Sequence, residues 1–275
     1  MPARRARLTA LEILVGMALA LAIFQFGYAP LPALVGMAVF GALALLRPDL
    51  ALLAVPLTVP LYLIPASIAG VRAQGFVLPL HEAALLVTAA ATIARAGWDL
   101  ARGNARTPRP VFARMAREFA PHALFLLAGL LGVALAVARG PALLEFRRLI
   151  AEPLLFYALA RHQLRAARAS SDDAPPLIAA LVLAGALVGL LALLQYAGLD
   201  LVPFFGQKQC FAPDGGPCSN IVVDGGLRRV QSVYGHPNNL GLFLGRVWPL
   251  AAVLTLAAWP RRNTRDFWLW LLAAL

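Results

Sequence analysis

The sequence predicts an all-α integral membrane protein: a polytopic helix bundle of about eight complete transmembrane helices plus the start of a ninth, forming a single transmembrane domain over residues 1–275. Three observations carry that reading. The chain is 61% hydrophobic with 13% charged residues and a mean hydropathy of +0.76. A soluble chain of this length could not bury so much apolar surface. Its apolar residues come in long runs, several close to the ~20 residues that cross a bilayer. The basic residues fall in short clusters between those runs, as topology signals do. A net charge of +11 would otherwise suggest nucleic acid, but such a surface interleaves basic residues with exposed aromatics on one soluble face. Nucleic acid is therefore excluded as a partner.

The runs follow in order. Arg4, Arg5 and Arg7 precede the first, 8–29, which is long enough to span and lacks an evident small-x-small cleavage site. It reads as a retained helix with the N-terminus inside. The second, 31–46, stops at Arg47-Pro48-Asp49, and the third, 50–69, contains Pro56, Pro60 and Pro65. Proline kinks a membrane helix and frees carbonyls that neighbouring helices must satisfy, so a bent packing helix is expected there. The fourth, 77–94, opens near His81 and Glu82, where a carboxylate suits the positive end of the helix dipole.

A basic linker, 95–117, contains Pro108 and Pro110, which argue against one continuous helix, and it suits a cytoplasmic loop against anionic headgroups. The fifth helix is expected at 120–138. The sixth run, to about 160, follows Glu145-Phe-Arg147-Arg148-Leu-Ile-Ala-Glu152-Pro, where Arg148 and Glu152 have i,i+4 spacing for an ion pair. The seventh, 176–196, holds Gly185-x-x-x-Gly189, and the eighth, 239–259, holds Gly241-x-x-x-Gly245; such pairs let helices approach closely. A ninth begins at Phe267.

Parity checks this map. With the N-terminus inside, loops after even-numbered helices should be basic. The N-terminal three, Arg47, the 95–117 linker, Arg161 to Arg168 and Arg261 to Arg265 place 16 of the 24 basic residues inside. Arg72, Arg139, Arg147, Arg148, Lys208, Arg228 and Arg229 fall outside, against the trend, and Arg246 lies within a helix. Arginine beside an outer helix entrance either snorkels to headgroups or meets a phosphate, whose oxygens match the guanidinium fork. Charge inside a membrane helix is costly and tends to mark a site or a partner, so Arg246 joins the candidates.

Cys210 and Cys218 are the only cysteines and both fall in the outer loop, 197–238. That compartment permits a disulfide between them, and a zinc site lacks further ligands.

The richest stretch is Arg228-Arg229-Val-Gln-Ser-Val-Tyr234-Gly-His236-Pro237-Asn238-Asn239-Leu-Gly, at the mouth of the eighth helix. Pro237 suits a helix start, Asn238 or Asn239 suits its cap, and free N–H groups there favour an anion. Tyr234 and His236 add hydrogen-bonding groups. A phosphate pocket at the outer boundary and an ordinary capped helix both fit these residues.

The string from Arg229 to Gly241, entering a membrane helix with Pro249 beyond, resembles the signature of the O-antigen ligase and O-antigen polymerase superfamily. It is also similar to a Pro-Asn segment of bacterial protein O-oligosaccharyltransferases. The resemblance implies a GT-C-like glycosyltransferase in the bacterial cytoplasmic membrane that works at its outer face without metal or other cofactor. Its donor would be an undecaprenyl-diphosphate-linked glycan and its acceptor a glycan, lipid or protein. Arg229 matches the family's arginine; Arg228, Tyr234, His236, Asn238, Asn239, Arg147, Arg148 and Arg246 join it as candidate substrate contacts. Family members place a further arginine and a histidine, the proposed general base, in a large outer loop further along. The 275 residues stop before such a loop, so the front part of a longer protein is expected. Two rival classes remain. A secondary transporter would show internal repeats with paired broken helices, which this sequence lacks, and a non-catalytic scaffold for polysaccharide assembly or export is the other.

Overall fold

The computed structural model describes residues 9–27, 30–62, 78–103, 109–167, 176–199, 221–224, 227–234 and 236–274. In chain order its elements are α1 Ala10–Phe26, α2 Pro30–Leu46, α3 Pro48–Thr58, a 3₁₀ turn Val59–Leu61, α4 Leu80–Ala101, α5 Arg109–Leu135 and α6 Arg139–Phe146. A π-turn Arg147–Ala151 leads to α7 Glu152–Ala167 and α8 Pro176–Tyr196. The strands β1 Ile221–Asp224 and β2 Leu227–Val230 follow, then α9 Pro237–Ala258, a 3₁₀ turn Trp259–Arg261 and α10 Arg265–Ala274.

Among the described residues α4, α8 and α9 are long and apolar enough to cross a membrane. Ala10–Phe26, Pro30–Leu46, Pro48–Leu61 and His122–Leu135 are apolar but shorter. The exterior is as greasy as the interior: Leu11, Leu31, Leu124, Leu193 and Leu242 are all more than 60% exposed. In water so much exposed apolar surface would drive association, whereas in a bilayer it is the ordinary outer face of a helix. The helical membrane class holds.

Local chemistry explains where the elements stop. In α3 the Thr58 hydroxyl donates to the Ala54 carbonyl at 2.6 Å, and Pro56 and Pro60 break the regular ladder, so the helix tightens into a 3₁₀ turn at Val59–Leu61. α4 outruns its expected end by several residues and finishes at Ala101, with Gly103 in the left-handed conformation, φ +69°, just beyond. The break between α4 and α5 agrees with the prolines of the linker, but α5 starts earlier than expected, at Arg109, with Pro110 in its first turn. There the missing N–H would have had no partner anyway.

Two compact units divide the chain: Met1–Gly16, Ala38–Leu52 and Ala84–Ser171 form one; Met17–Met37, Leu53–Ala83 and Asp172–Leu275 form the other. In the first, Arg95 of α4 donates to the Leu46 carbonyl at 2.7 Å, taking up a C-terminal acceptor of α2. Gln163 of α7 donates to the Pro48 carbonyl at 2.8 Å. The end of α2 is thus tied to α4, and the start of α3 to α7, within this unit. Trp98 lies under the Arg102 guanidinium, 4.4 Å from ring centroid to carbon, an amphipathic pair of the kind found at a membrane–water boundary.

In the second unit α1 and α2 meet at Gly36, where a Cβ would fall 2.5 Å from the Ala20 carbonyl oxygen. α8 and α9 meet at Gly185, where it would fall 2.5 Å from Val247 Cγ1. Only glycine permits either approach. Gly189, Gly241 and Gly245 face open space within 4 Å, so of the two small-residue pairs only Gly185 makes such a contact among the described residues. Val182, Val247, Ala251 and Leu254 form a dry core between α8 and α9, with Trp270 of α10 packed against it. The indole of Trp248 donates to the Ala274 carbonyl at 2.9 Å, closing the α9–α10 hairpin.

Candidate functional site

The second unit gathers the C-terminal end of α8, the hairpin strand β2 and the start of α9. β1 and β2 are antiparallel, with Ile221 opposite Val230, Val222 opposite Arg229, Val223 opposite Arg228 and Asp224 opposite Leu227. Gly225-Gly226 separates them, so the arginine pair is carried by a hairpin strand, where the sequence reading had only a loop. The sequence held a signal for it: a β-branched run, Asp-Gly-Gly, then Leu-Arg-Arg-Val.

After β2 the chain turns inward. Gln231, Ser232, Val233 and Tyr234 are all buried, and the Tyr234 N–H donates to the Gln231 carbonyl at 3.0 Å. Ser232 adopts φ +50°, a left-handed conformation uncommon for a residue with a side chain. Gln195, the penultimate residue of α8 and 0% exposed, meets this turn with its side-chain oxygen. Oε1 accepts the N–H of Gln231 at 3.0 Å and that of Ser232 at 2.8 Å, and the Ser232 hydroxyl donates to the Val188 carbonyl at 2.9 Å. The sequence reading missed all three polar residues. A glutamine at the end of an otherwise apolar membrane helix was the available signal, because such a group must find partners.

Tyr234 is not offered to a ligand at the interface. It is 3% exposed, its ring packs against Tyr62 (centroids 5.9 Å) and Phe243 (5.2 Å), and its hydroxyl makes no hydrogen bond among the described residues. Burial, and secondarily the nearby Tyr62, push its phenol well above the usual range.

At the mouth of α9 the cap differs from the expected one. His236 holds the N-cap in an extended conformation, and its Nδ1 accepts the Asn238 N–H at 3.1 Å. Pro237, Asn238 and Asn239 are the first three helical residues. The N–H groups of Asn239 and Leu240 both reach the His236 carbonyl, at 3.2 and 3.3 Å. The N–H groups proposed for an anion cradle are therefore engaged locally, and what remains for an anion is the positive end of the dipole. The Asn238 side chain instead faces Arg229, whose Nη2 donates to Oδ1 at 2.9 Å; both residues are exposed.

The remaining candidates lie elsewhere. Arg246 is exposed ten residues into α9, roughly 13 Å along the axis from Pro237, and makes no hydrogen bond or ion pair among the described residues. Arg147 and Arg148 belong to the first unit and open the π-turn. There the Arg147 guanidinium meets Glu152 at 3.0 Å, an i,i+5 pair. The sequence spacing pointed to Arg148 at i,i+4; a π-turn, whose Glu152 N–H bonds the Arg147 carbonyl, also brings the fifth residue round to Arg147. Cys210 and Cys218 lie outside the described residues.

The chain matches no family model, no curated protein and no solved structure with which it was compared.

What this arrangement can do chemically follows from Arg229. An exposed guanidinium, bonded to Asn238 at the positive end of a membrane-length helix, has the chemistry that suits a phosphate or carboxylate.

Proposed function

We propose that the protein is a membrane glycosyltransferase of the O-antigen ligase/polymerase type. It takes glycan from an undecaprenyl-diphosphate carrier at the outer face of the bacterial cytoplasmic membrane and passes it to a glycan, lipid or protein acceptor. In this reading the N-terminus is cytoplasmic, and about eight helices span the membrane with a ninth begun.

The observation that carries it is the Arg229–Asn238 contact: an exposed guanidinium held beside the Pro-Asn-Asn entrance of α9. Glycosyl transfer from such a carrier leaves a diphosphate anion, and stabilising that leaving group is the main electrostatic task. The Arg229 fork is matched to it, with Arg228 next along the strand. Arg246, deeper on α9, suits a second phosphate or headgroup contact.

The test is Arg229→Lys in the full chain reconstituted in nanodiscs, with binding of undecaprenyl diphosphate as the readout. Lysine keeps the charge and loses the bidentate fork, so binding should fall at least tenfold. Unchanged binding would remove Arg229 from the donor site.

A further inference from the structure

We propose that Gln195 is a positioning residue: its side-chain oxygen, reaching from the end of α8, sets where the chain from Arg229 to Asn238 lies. This rests on the donor-site reading of Arg229, but the geometry behind it is independent of that reading.

The turn between β2 and α9 carries two consecutive buried backbone donors, the N–H groups of Gln231 and Ser232. In a protein interior each needs an acceptor, and a missing one is costly. Both find the same atom, Gln195 Oε1, at 3.0 and 2.8 Å. Two donors converging on one oxygen leave the carboxamide a single sensible orientation, and they fix two neighbouring peptide planes at once. The Ser232 hydroxyl adds a third tie to α8 through the Val188 carbonyl at 2.9 Å. These ties hold Ser232 in its left-handed conformation, φ +50°, which an unsupported serine would leave. Apolar packing alone would not choose this conformation: Val233 and Tyr234 sit against Val188, Ala192 and Leu240, contacts without direction.

Ser232 lies three residues after Arg229 and four before the His236 cap. A change of its backbone therefore moves Arg229 relative to Asn238, which α9 keeps packed on α8. Only the acceptor half of the amide is used; Gln195 Nε2 is buried and has no partner among the described residues. That asymmetry makes the proposal specific. Glutamate keeps an acceptor oxygen at the same reach, whereas methionine keeps the length and supplies none.

The experiment compares wild type, Gln195→Glu, Gln195→Met and Arg229→Lys as full chains in nanodiscs. It follows amide exchange of the segment around Gln231 and Ser232 and binding of undecaprenyl diphosphate. Gln195→Met should speed exchange of those amides at least tenfold and weaken binding at least tenfold, with its unfolding midpoint still cooperative. Gln195→Glu should stay within threefold of wild type in both. Wild-type exchange in Gln195→Met overturns the latch. Faster exchange with undisturbed binding, in an assay where Arg229→Lys is impaired, overturns the positioning role. If Arg229→Lys binds normally, the donor-site reading fails while exchange still decides whether Gln195 holds the turn. Should Gln195→Met not fold, Gln195→Asn, whose oxygen sits one methylene short, replaces it with the same expected outcome.

Discussion

Arg229 and Asn238 join β2 to the second residue of α9 through one hydrogen bond, Nη2 to Oδ1 at 2.9 Å. The bond spans nine residues and uses one nitrogen of the guanidinium. Because the asparagine is neutral, this bond orients the arginine without adding a negative charge beside it.

Replacing Asn238 by aspartate tests that last point. Asn238→Asp converts a neutral acceptor into a carboxylate, and a charge-assisted bond of this kind is roughly twice as strong. The carboxylate would then compete with any phosphate for Arg229. Undecaprenyl diphosphate binding should weaken about tenfold, a loss of ~1.4 kcal/mol, whereas Asn238→Gln, which keeps a neutral amide acceptor, should lose less than the aspartate variant.

The cap of α9 should depend on an acceptor at position 236 rather than on the imidazole as such. His236→Ala removes the Nδ1 that accepts the Asn238 N–H and should cost about 0.5–2 kcal/mol of stability. His236→Asp and His236→Ser, both good caps, should restore most of it. Unfolding midpoints in a single detergent would show the order; equal values for alanine and aspartate would contradict the cap.

Tyr234 makes a pH-dependent contribution whose sign is set by burial. Its phenol is pushed up in the folded state, so the fold prefers the neutral form. The resulting stability is fully present below the ordinary phenol range, near pH 10, and is lost as pH rises through the higher folded value. Tyr234→Phe should remove this alkaline loss and, because the hydroxyl makes no hydrogen bond among the described residues, should cost little at neutral pH. The tyrosinate absorbance difference between wild type and Tyr234→Phe should titrate above the usual phenol range.

These predictions draw on features that were unequally legible in the sequence. Apolar length alone placed α8 at its observed bounds and α9 within two residues of its start, because nothing but a helix satisfies its own backbone in hydrocarbon. The arginines and the Pro-Asn-Asn entrance were visible as residue types. Their geometry was not. The pairing of Arg147 with Glu152 depends on a π-turn, a register change that hydrophobic periodicity does not reveal. Gln195 drew no notice in the sequence, since its partners lie 36 and 37 positions along the chain. Tyr234 is amphipathic and suits either burial or an interface, so only packing against Tyr62 and Phe243 decides the matter.

The two glycines of α8 should behave oppositely. A side chain at Gly185 would collide with Val247, so Gly185→Leu should destabilise by about 1–3 kcal/mol or prevent folding. Gly189 faces open space, and Gly189→Ala, which lowers backbone entropy in a helix interior, should stabilise by ~0.5–1 kcal/mol. Thermal unfolding in detergent would separate them. Similar destabilisation by both would mean that Gly189 also meets a neighbouring helix.

The sidedness of the helices can be read with thiol chemistry, because Cys210 and Cys218 are the only cysteines. In the first unit the bonds Arg95–Leu46 and Gln163–Pro48 hold the ends of α2, α4 and α7 together, so those ends must share one side of the membrane. With Cys210→Ser and Cys218→Ser as background, Arg47→Cys and Arg102→Cys should label from the same side, the cytoplasmic one if basic residues remain inside. In the otherwise native chain Cys210 and Cys218, after reduction, should be reached by an impermeant maleimide from outside. Opposite labelling of positions 47 and 102 would contradict the packing of the first unit. Same-side labelling of those two together with the native cysteines would instead leave the packing intact and overturn the alternation of the helices between them.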